Sequence, residues 1–233
     1  LFQSNNSIYD NIMSKKEKIF RTTKEVLKTA KRRKSSSTRW LQRQINDPYV
    51  RQAQAEGKRS RAAYKIIQID EKYKIFNPGD SVLDLGAAPG SWTEVALEKT
   101  GGFTLAVDIL DMDNIQKAII LKADLQEEES VGLIKKLSIN KFDVVLSDMA
   151  ASTTGHKSTD HIRTQALAEL ASLYAIDFLK KGGTFCAKVF QGGTHSNLLL
   201  ELKNNFKVIK HYKPEASRKG SPETYVIAKG FQE

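Results

Sequence analysis

The clearest indication of the fold of this chain is the nine-residue segment Asp84-Leu85-Gly86-Ala87-Ala88-Pro89-Gly90-Ser91-Trp92. It follows the apolar pair Val82-Leu83 and leads into a helical pattern, which predicts a loop between a buried strand and a helix. In an open α/β sheet such a loop lies at the carboxyl end of a strand, where ligands bind. The glycines allow a close approach of backbone to ligand, and Pro89 restricts the path. A tight turn without a ligand has the same composition, so the loop alone leaves both interpretations open.

The spacing within this loop excludes two other kinds of ligand-binding loop. It lacks the G-x-G-x-x-G spacing of dinucleotide-binding proteins, which disfavours a nucleotide-dependent oxidoreductase. It also lacks the Gly-Lys-Ser/Thr of a phosphate-binding loop.

Short apolar strands and helical patterns alternate from residue 81 onward. This alternation predicts an α/β fold with a doubly wound, mainly parallel sheet. The segment 213–223 contains Pro214, Gly220 and Pro222 but no helical pattern, which favours an antiparallel pair of strands at the sheet edge. The seven predicted strands are 81–85, 104–109, 118–122, 142–147, 184–190, 207–212 and 224–229. The predicted helices are 92–99, 130–137, 161–180, 196–205 and one that begins after Ser60 as N-cap and ends near Tyr73.

Positive charge is concentrated at the beginning of the chain. The formal net charge is +10, and residues 1–65 contain 17 Lys and Arg against 5 Asp and Glu. A protein that binds a phosphate backbone is expected to show such a distribution, although a solvated tail is the alternative. We expect residues 1–37 to form a basic, flexible arm or leader and residues 38–233 to form one α/β domain.

Several other classes of protein are disfavoured by the composition. The single cysteine, Cys186, excludes an internal disulfide and a Cys-based zinc site. The four histidines show no convincing spacing for metal ligands, and no apolar run approaches the ~20 residues that span a bilayer. We therefore expect a cytoplasmic protein that uses no metal and contacts no membrane.

Acidic residues end the next two predicted strands. Asp108 ends the second, about 20 residues after the glycine-containing loop, where an acid can accept hydrogen bonds from a ribose diol. Asp124 ends the third, where its carboxylate can accept a hydrogen bond from an adenine amino group. Each Asp alone is more often a helix cap or a surface charge. Three candidate sites at successive strand ends favour a shared ligand site.

A lysine inside an apolar strand is the next unusual feature. Lys188 lies in the fifth predicted strand and needs a partner, because burial of an unpaired ammonium is strongly unfavourable. Adjacent parallel strands can bring it close to Asp148, which closes the fourth strand. A purely structural salt bridge is the alternative for this pair. Glu223, before the last strand, and Lys65, on the first predicted helix, can complete an alternating set of charges.

Four motifs, in order, resemble the FtsJ/RrmJ family of ribosomal RNA large-subunit 2'-O-methyltransferases. The resemblance covers the chain from about Trp40 to Phe231 and departs from the family at Ser91, where a second glycine is common. The motifs are Ser60-Arg61-Ala62-Ala63-Tyr64-Lys65, the loop 84–92, Leu146-Ser147-Asp148-Met149-Ala150 and Lys188-Val189-Phe190-Gln191-Gly192.

The resemblance implies a Rossmann-like methyltransferase domain, with S-adenosylmethionine as methyl donor. It implies as substrate the 2'-hydroxyl of one uridine in the peptidyl-transferase A loop of large-subunit rRNA, in an assembling 50S-type particle. We expect the enzyme to act as a monomer. A catalytically silent RNA-binding assembly factor is the competing interpretation, and a relative acting on tRNA or mitochondrial rRNA is a third.

The resemblance also assigns residues. Gly90 and Trp92 would contact the methionine end of the donor, Asp108 its ribose and Asp124 its adenine, and Asp148 would lie near the methyl group. The family's catalytic tetrad falls on Lys65, Asp148, Lys188 and Glu223. Two roles stay open for Lys188: a neutral amine would be a general base, whereas an ammonium would stabilise a developing alkoxide.

Overall fold

The computed structural model describes residues 25–27, 35–138, 140–151, 154–191 and 196–232. The chain divides into two compact units, and the boundary lies between Arg61 and Ala62. Most of the predicted arm, 1–37, lies outside the described residues, as does Gly192 of the fourth motif. The predicted division of the chain at residue 37 therefore stays a prediction.

Two helices form the described part of the first unit, α1 (Ser35–Ile45) and α2 (Pro48–Glu56). Asp47 begins α2, because its carboxylate accepts a hydrogen bond from the backbone N–H of Tyr49 at 3.1 Å. The same carboxylate forms an ion pair with Arg61 at 2.6 Å. Trp40 on α1 is half-exposed.

The second unit is an α/β domain built on a seven-stranded sheet with strand order β3-β2-β1-β4-β5-β7-β6. All pairs are parallel except the two that involve β7, which is antiparallel to β5 and to β6. The strands are β1 (Val82–Leu85), β2 (Thr104–Asp108), β3 (Ala118–Lys122), β4 (Phe142–Ser147), β5 (Leu179–Phe190), β6 (Phe206–Tyr212) and β7 (Glu223–Phe231). The helices are α3 (Ala63–Tyr73), α4 (Ser91–Thr100), α5 (Glu129–Leu137), α6 (Lys157–Phe178) and α7 (Ser196–Asn205).

The predicted fold class is confirmed, including all seven strands and the antiparallel pair at the sheet edge. Several boundaries were wrong, and Glu223 is the first residue of β7 rather than the residue before it. The clearest differences are at the starts of three elements. The strand β5 begins at Leu179 rather than at residue 184, α6 begins at Lys157 rather than at 161, and α3 has Ala62 as N-cap, without a side-chain hydrogen bond, rather than Ser60.

Two apolar clusters cover the two faces of the sheet. Val82, Val144 and Leu146 pack on the face covered by α3 and α4. Leu83 and Val145, which alternate with them along the strands, pack on the face covered by α5, α6 and α7. Burial on both faces explains the continuous apolar runs of the central strands. No described helix is long and apolar enough to cross a membrane.

The order of the strands places the ligand-binding end of the sheet between β1 and β4. In the sheet, β1 lies between β2 and β4. The loop after β1 leads towards β2 on one side, whereas the loop after β4 leads towards β5 on the other, so the two loops run in opposite directions. Leu85 and Ser147 are register partners at the ends of the two strands. The loop 84–92 and Asp148 are therefore neighbours in space.

Candidate active site

The loop after β1 is shaped by close contact with the residues that follow β4. Gly86 has φ of 71°, and a Cβ atom at this position would lie 2.3 Å from Cγ of Met149. A larger residue would be strained and would collide with Met149. Gly90 has φ of 99° and is the N-cap of α4. The glycines thus let the loop turn directly beside Asp148.

Asp108 fixes this loop to the end of β2. Its Oδ2 accepts a hydrogen bond from the backbone N–H of Ala88 at 2.8 Å, and its Oδ1 accepts one from Leu110 at 2.8 Å. A carboxylate oxygen has more than one lone pair, so these bonds leave acceptor capacity for a ligand.

Asp124 lies two residues beyond the end of β3, whose limits are those predicted. Its Oδ1 accepts a hydrogen bond from the backbone N–H of Gln126 at 2.9 Å. Neither Asp108 nor Asp124 lines the small pocket described next, which lies between the loop after β1 and Asp148.

A small pocket lies between the loop after β1 and Asp148. Trp92 borders it, is buried, and donates a hydrogen bond from Nε1 to the carbonyl of Ala62 at 3.0 Å. The other residues that line this pocket are Ala62, Asp84, Gly86, Ala87, Ala88, Pro89, Ser91 and Asp148.

Asp84 is a buried acid at this pocket that was not among the predicted site residues. Its Oδ2 accepts a hydrogen bond from Thr93 Oγ1 at 2.7 Å, whereas its Oδ1 is buried and has no hydrogen-bond partner among the described residues. Burial raises the pKa of Asp84 from 3.8 to about 7. The pocket therefore contains a carboxyl oxygen that has no partner among the described residues.

The four residues of the predicted tetrad lie together. Lys188 Nζ is 2.8 Å from Asp148 Oδ1 and donates to the backbone carbonyl of Asp148 at 2.7 Å. Lys65 Nζ lies 3.0 Å from each carboxylate oxygen of Glu223 and 3.6 Å from Asp148 Oδ2. All four side chains are at most 18% exposed, so water screens their charges only weakly. The geometry places Asp148 between the two lysines.

Tyr225 joins this group, although no sequence pattern pointed to it. Its hydroxyl donates a hydrogen bond to Asp148 Oδ1 at 2.9 Å. Its ring lies 5.5 Å from the ring of Trp92 and 5.7 Å from Lys65 Nζ. In the sequence Tyr225 is one aromatic residue in an apolar strand, and only the register of β5 with β7, which pairs it with Lys188, reveals the contact.

The electrostatics keep Asp148 ionised and Tyr225 protonated. Burial alone would raise the pKa of Asp148, but Lys188 and Lys65 outweigh it and hold that pKa below 3.8. Burial, together with Asp148 and Glu223, raises the pKa of Tyr225 well above 10.0. Tyr225 therefore acts as a hydrogen-bond donor to a carboxylate. In the described parts of the chain, no three His, Cys, Asp or Glu side chains lie close enough to hold a metal ion.

A seven-stranded, mainly parallel sheet with this strand order and an antiparallel edge pair is the fold of a Rossmann-like methyltransferase. More specifically, the chain belongs to the FtsJ-like methyltransferase family, which matches residues 58–231. This confirms the resemblance inferred from the four motifs.

Three similar proteins illustrate the relationship. A Maricaulis maris protein named ribosomal RNA large subunit methyltransferase E is 53% identical over 208 residues, covering 89% of this chain and 75% of that protein. A Paramagnetospirillum magneticum protein of the same name is 54% identical over 213 residues, covering 88% of this chain and 87% of that protein. A crystal structure of a Plasmodium falciparum protein assigned as a ribosomal RNA methyltransferase is 30% identical, with a TM-score of 0.67, covering 74% of this chain and 98% of that one.

Proposed function

We propose that this protein transfers a methyl group from S-adenosylmethionine to the ribose 2'-hydroxyl of a uridine in large-subunit rRNA, on an assembling 50S-type particle. Relatives at 53% and 54% identity carry the name of a large-subunit rRNA methyltransferase. The single observation that carries the proposal is the arrangement of Lys65, Asp148, Lys188 and Glu223 beside the loop after β1. A buried group of charges beside a ligand-binding loop favours a reaction site over a protein that only binds RNA.

The pocket fits the proposed donor in its charge. The unpartnered Oδ1 of Asp84 can accept a hydrogen bond from the ammonium of an amino acid, and this interaction would favour the ionised form of Asp84. We assign the methionine end of the donor to Gly90 and Trp92, its ribose to Asp108 and its adenine to Asp124. When bound, the donor supplies a methyl carbon on a sulfonium, whose positive charge disappears on transfer.

The chemistry at the acceptor requires alignment and removal of a proton. The ribose oxygen forms a bond to the methyl carbon while the carbon–sulfur bond breaks and its electron pair stays on sulfur, so the hydroxyl proton must leave the oxygen. Lys188 is the group that we assign to this hydroxyl. A neutral Lys188 would accept the proton, whereas a charged Lys188 would stabilise the developing alkoxide.

The neighbouring side chains hold Lys188 in place. Asp148 contacts Lys188 through both its side chain and its backbone carbonyl, and Tyr225 fixes the same carboxylate oxygen. Lys65 is held by Glu223 on the far side of Asp148. Hydrogen bonds to every member make such a group rigid, which is what a pre-aligned reaction requires.

RNA binding is assigned to the basic beginning of the chain. Residues 1–65 contain 17 Lys and Arg against 5 Asp and Glu, a net charge of +12 that exceeds the +10 of the whole chain. In α1 the half-exposed Trp40 lies between Arg39 and Arg43 in the sequence. Lysine and arginine neutralise phosphates, and aromatic rings stack on bases. We further propose that the protein acts in the cytoplasm as a monomer.

The proposal is tested by mapping the methyl group. The purified protein is incubated with labelled S-adenosylmethionine and either 50S-type particles that lack the modification or total tRNA. We expect a single 2'-O-methyluridine in the large-subunit rRNA and no label in tRNA. Binding of RNA without transfer would identify a silent assembly factor, and label in tRNA alone would identify a different RNA substrate.

A further inference from the structure

The connection between β6 and β7 contacts the tetrad through a residue to which no role has been assigned. We call residues 213–222 the strap. We propose that Ser217, in this strap, is a positioning residue that fixes the carboxylate of Glu223 against Lys65. This inference rests on the proposed function, because its effect is measured as a rate of methyl transfer.

Ser217 makes a short contact with Glu223. Its hydroxyl donates a hydrogen bond to Glu223 Oε1 at 2.7 Å, and the residue is only 4% exposed. The same oxygen and Oε2 each lie 3.0 Å from Lys65 Nζ. Two donors on two different elements, α3 and the strap, therefore hold one carboxylate.

The strap is itself fixed to the helix that carries Lys65. The side-chain oxygen of Gln68 accepts a hydrogen bond from the backbone N–H of Ala216 at 2.9 Å. Gln68 follows Lys65 by three residues, so both side chains lie on the same side of α3. The backbone N–H of Ser217 also donates to the carbonyl of Pro214 at 2.9 Å, which closes a turn within the strap. These hydrogen bonds fix the backbone of the strap at Ser217.

A carboxylate at the end of a glutamate side chain needs such support. Its last torsion angle has a broad preference, so one donor alone does not fix its orientation. Without Ser217, Lys65 would be the remaining side-chain donor to the Glu223 carboxylate among the residues that the structure describes. Lys65 already lies 3.6 Å from Asp148 Oδ2, and any shift toward it would change the charge around the carboxylate that holds Lys188. The expected consequence is a slower reaction with unchanged binding.

The experiment compares two buried serines that donate to glutamates. Ser217→Ala removes the contact with Glu223, and Ser172→Ala is the matched control, because Ser172 is buried and donates to Glu201 Oε2 at 2.9 Å between α6 and α7. Single-turnover methyl transfer to 50S-type particles is measured together with donor affinity and Tm. We expect Ser217→Ala to lower the maximal rate about tenfold, the usual scale for a hydrogen bond to a charged group, with unchanged half-saturating particle concentration and donor affinity. We expect Ser172→Ala to keep the wild-type rate.

The double variant Ser217→Ala/Glu223→Gln tests whether Ser217 acts through Glu223. It should be no slower than Glu223→Gln alone, whereas additive losses would overturn the inference. A Ser217→Ala rate within about twofold of wild type, or equal losses in both serine variants, would also overturn it while leaving the proposed function intact. Failure of the wild-type protein to transfer any methyl group would instead reject the proposed function.

Discussion

Replacement of Asp84 by Asn should change how stability depends on pH. The carboxyl of Asp84 is buried, and its pKa is raised from 3.8 in the unfolded chain to about 7 in the fold. Between these values the folded protein holds a proton that the unfolded chain releases, so wild-type stability falls as pH rises through this interval. An asparagine resembles the protonated acid and does not titrate.

The magnitude follows from the two pKa values. A tenfold change in proton affinity corresponds to about 1.4 kcal/mol, so the full interval represents at most roughly 4 kcal/mol of unfolding free energy. About 3 kcal/mol of this should be lost between about pH 5 and pH 8. Urea unfolding of both proteins over this range measures it, because the difference between their free energies of unfolding cancels contributions from all other groups. We expect Asp84→Asn to gain stability relative to wild type as pH rises.

A constant difference between the two proteins across this pH range would refute the reasoning. It would mean that Asp84 is ionised in the fold throughout, with its Oδ1 solvated or paired. Donor binding supplies an independent check, because an ammonium beside Oδ1 should favour the ionised form. Donor affinity of the wild-type protein should therefore rise with pH up to about pH 7, while that of Asp84→Asn stays flat.

Three further predictions concern the donor site, the arm and the buried charges. Asp108→Ala or Asp124→Ala should weaken donor binding about tenfold without unfolding the protein, and unchanged affinity by calorimetry in both variants would exclude the donor assignment. Deletion of residues 1–37 should lower RNA affinity and flatten its salt dependence while sparing donor binding; an unaltered salt slope would show that the arm is only a solvated tail. Asp148→Asn should lower the free energy of unfolding by about 3 kcal/mol, because Lys188 and Lys65 would lose the buried carboxylate that lies between them. Asp143→Asn, at the more exposed pair with Lys180, is its control and should lose less in urea unfolding.

The sheet was predictable from sequence because its central strands are buried on both faces. Continuous apolar runs such as Val144-Val145-Leu146 have few other structural solutions, and the strand β4 has the predicted limits. The start of β5 was missed because Lys180-Lys181-Gly182-Gly183 resembles a turn. In the structure this stretch belongs to β5. It lies beside Phe142 and Val144 of β4, where the register between the two strands shifts.

Site residues could be predicted from the sequence where a charged residue lies within an otherwise apolar strand. Lys188 in a buried strand demanded an anionic partner, and the parallel pairing of β4 with β5 supplies Asp148. Tyr225 and Ser217 could not be found in this way. Their contacts depend on the antiparallel register of β7 and on the path of the strap, which no local pattern encodes.

The assignment of Lys188 to the ribose hydroxyl is tested most directly by single-turnover methyl transfer to 50S-type particles. Lys188→Ala should fold, bind the donor and lose about a hundredfold or more in rate, whereas Lys180→Ala, from the lysine–aspartate pair with Asp143, should remain active. Lys188→Arg should rescue poorly, because a guanidinium does not release its proton near neutral pH and its planar shape differs from an ammonium. Near-normal transfer by Lys188→Ala would contradict the catalytic role of Lys188 and, with it, the proposed use of the tetrad.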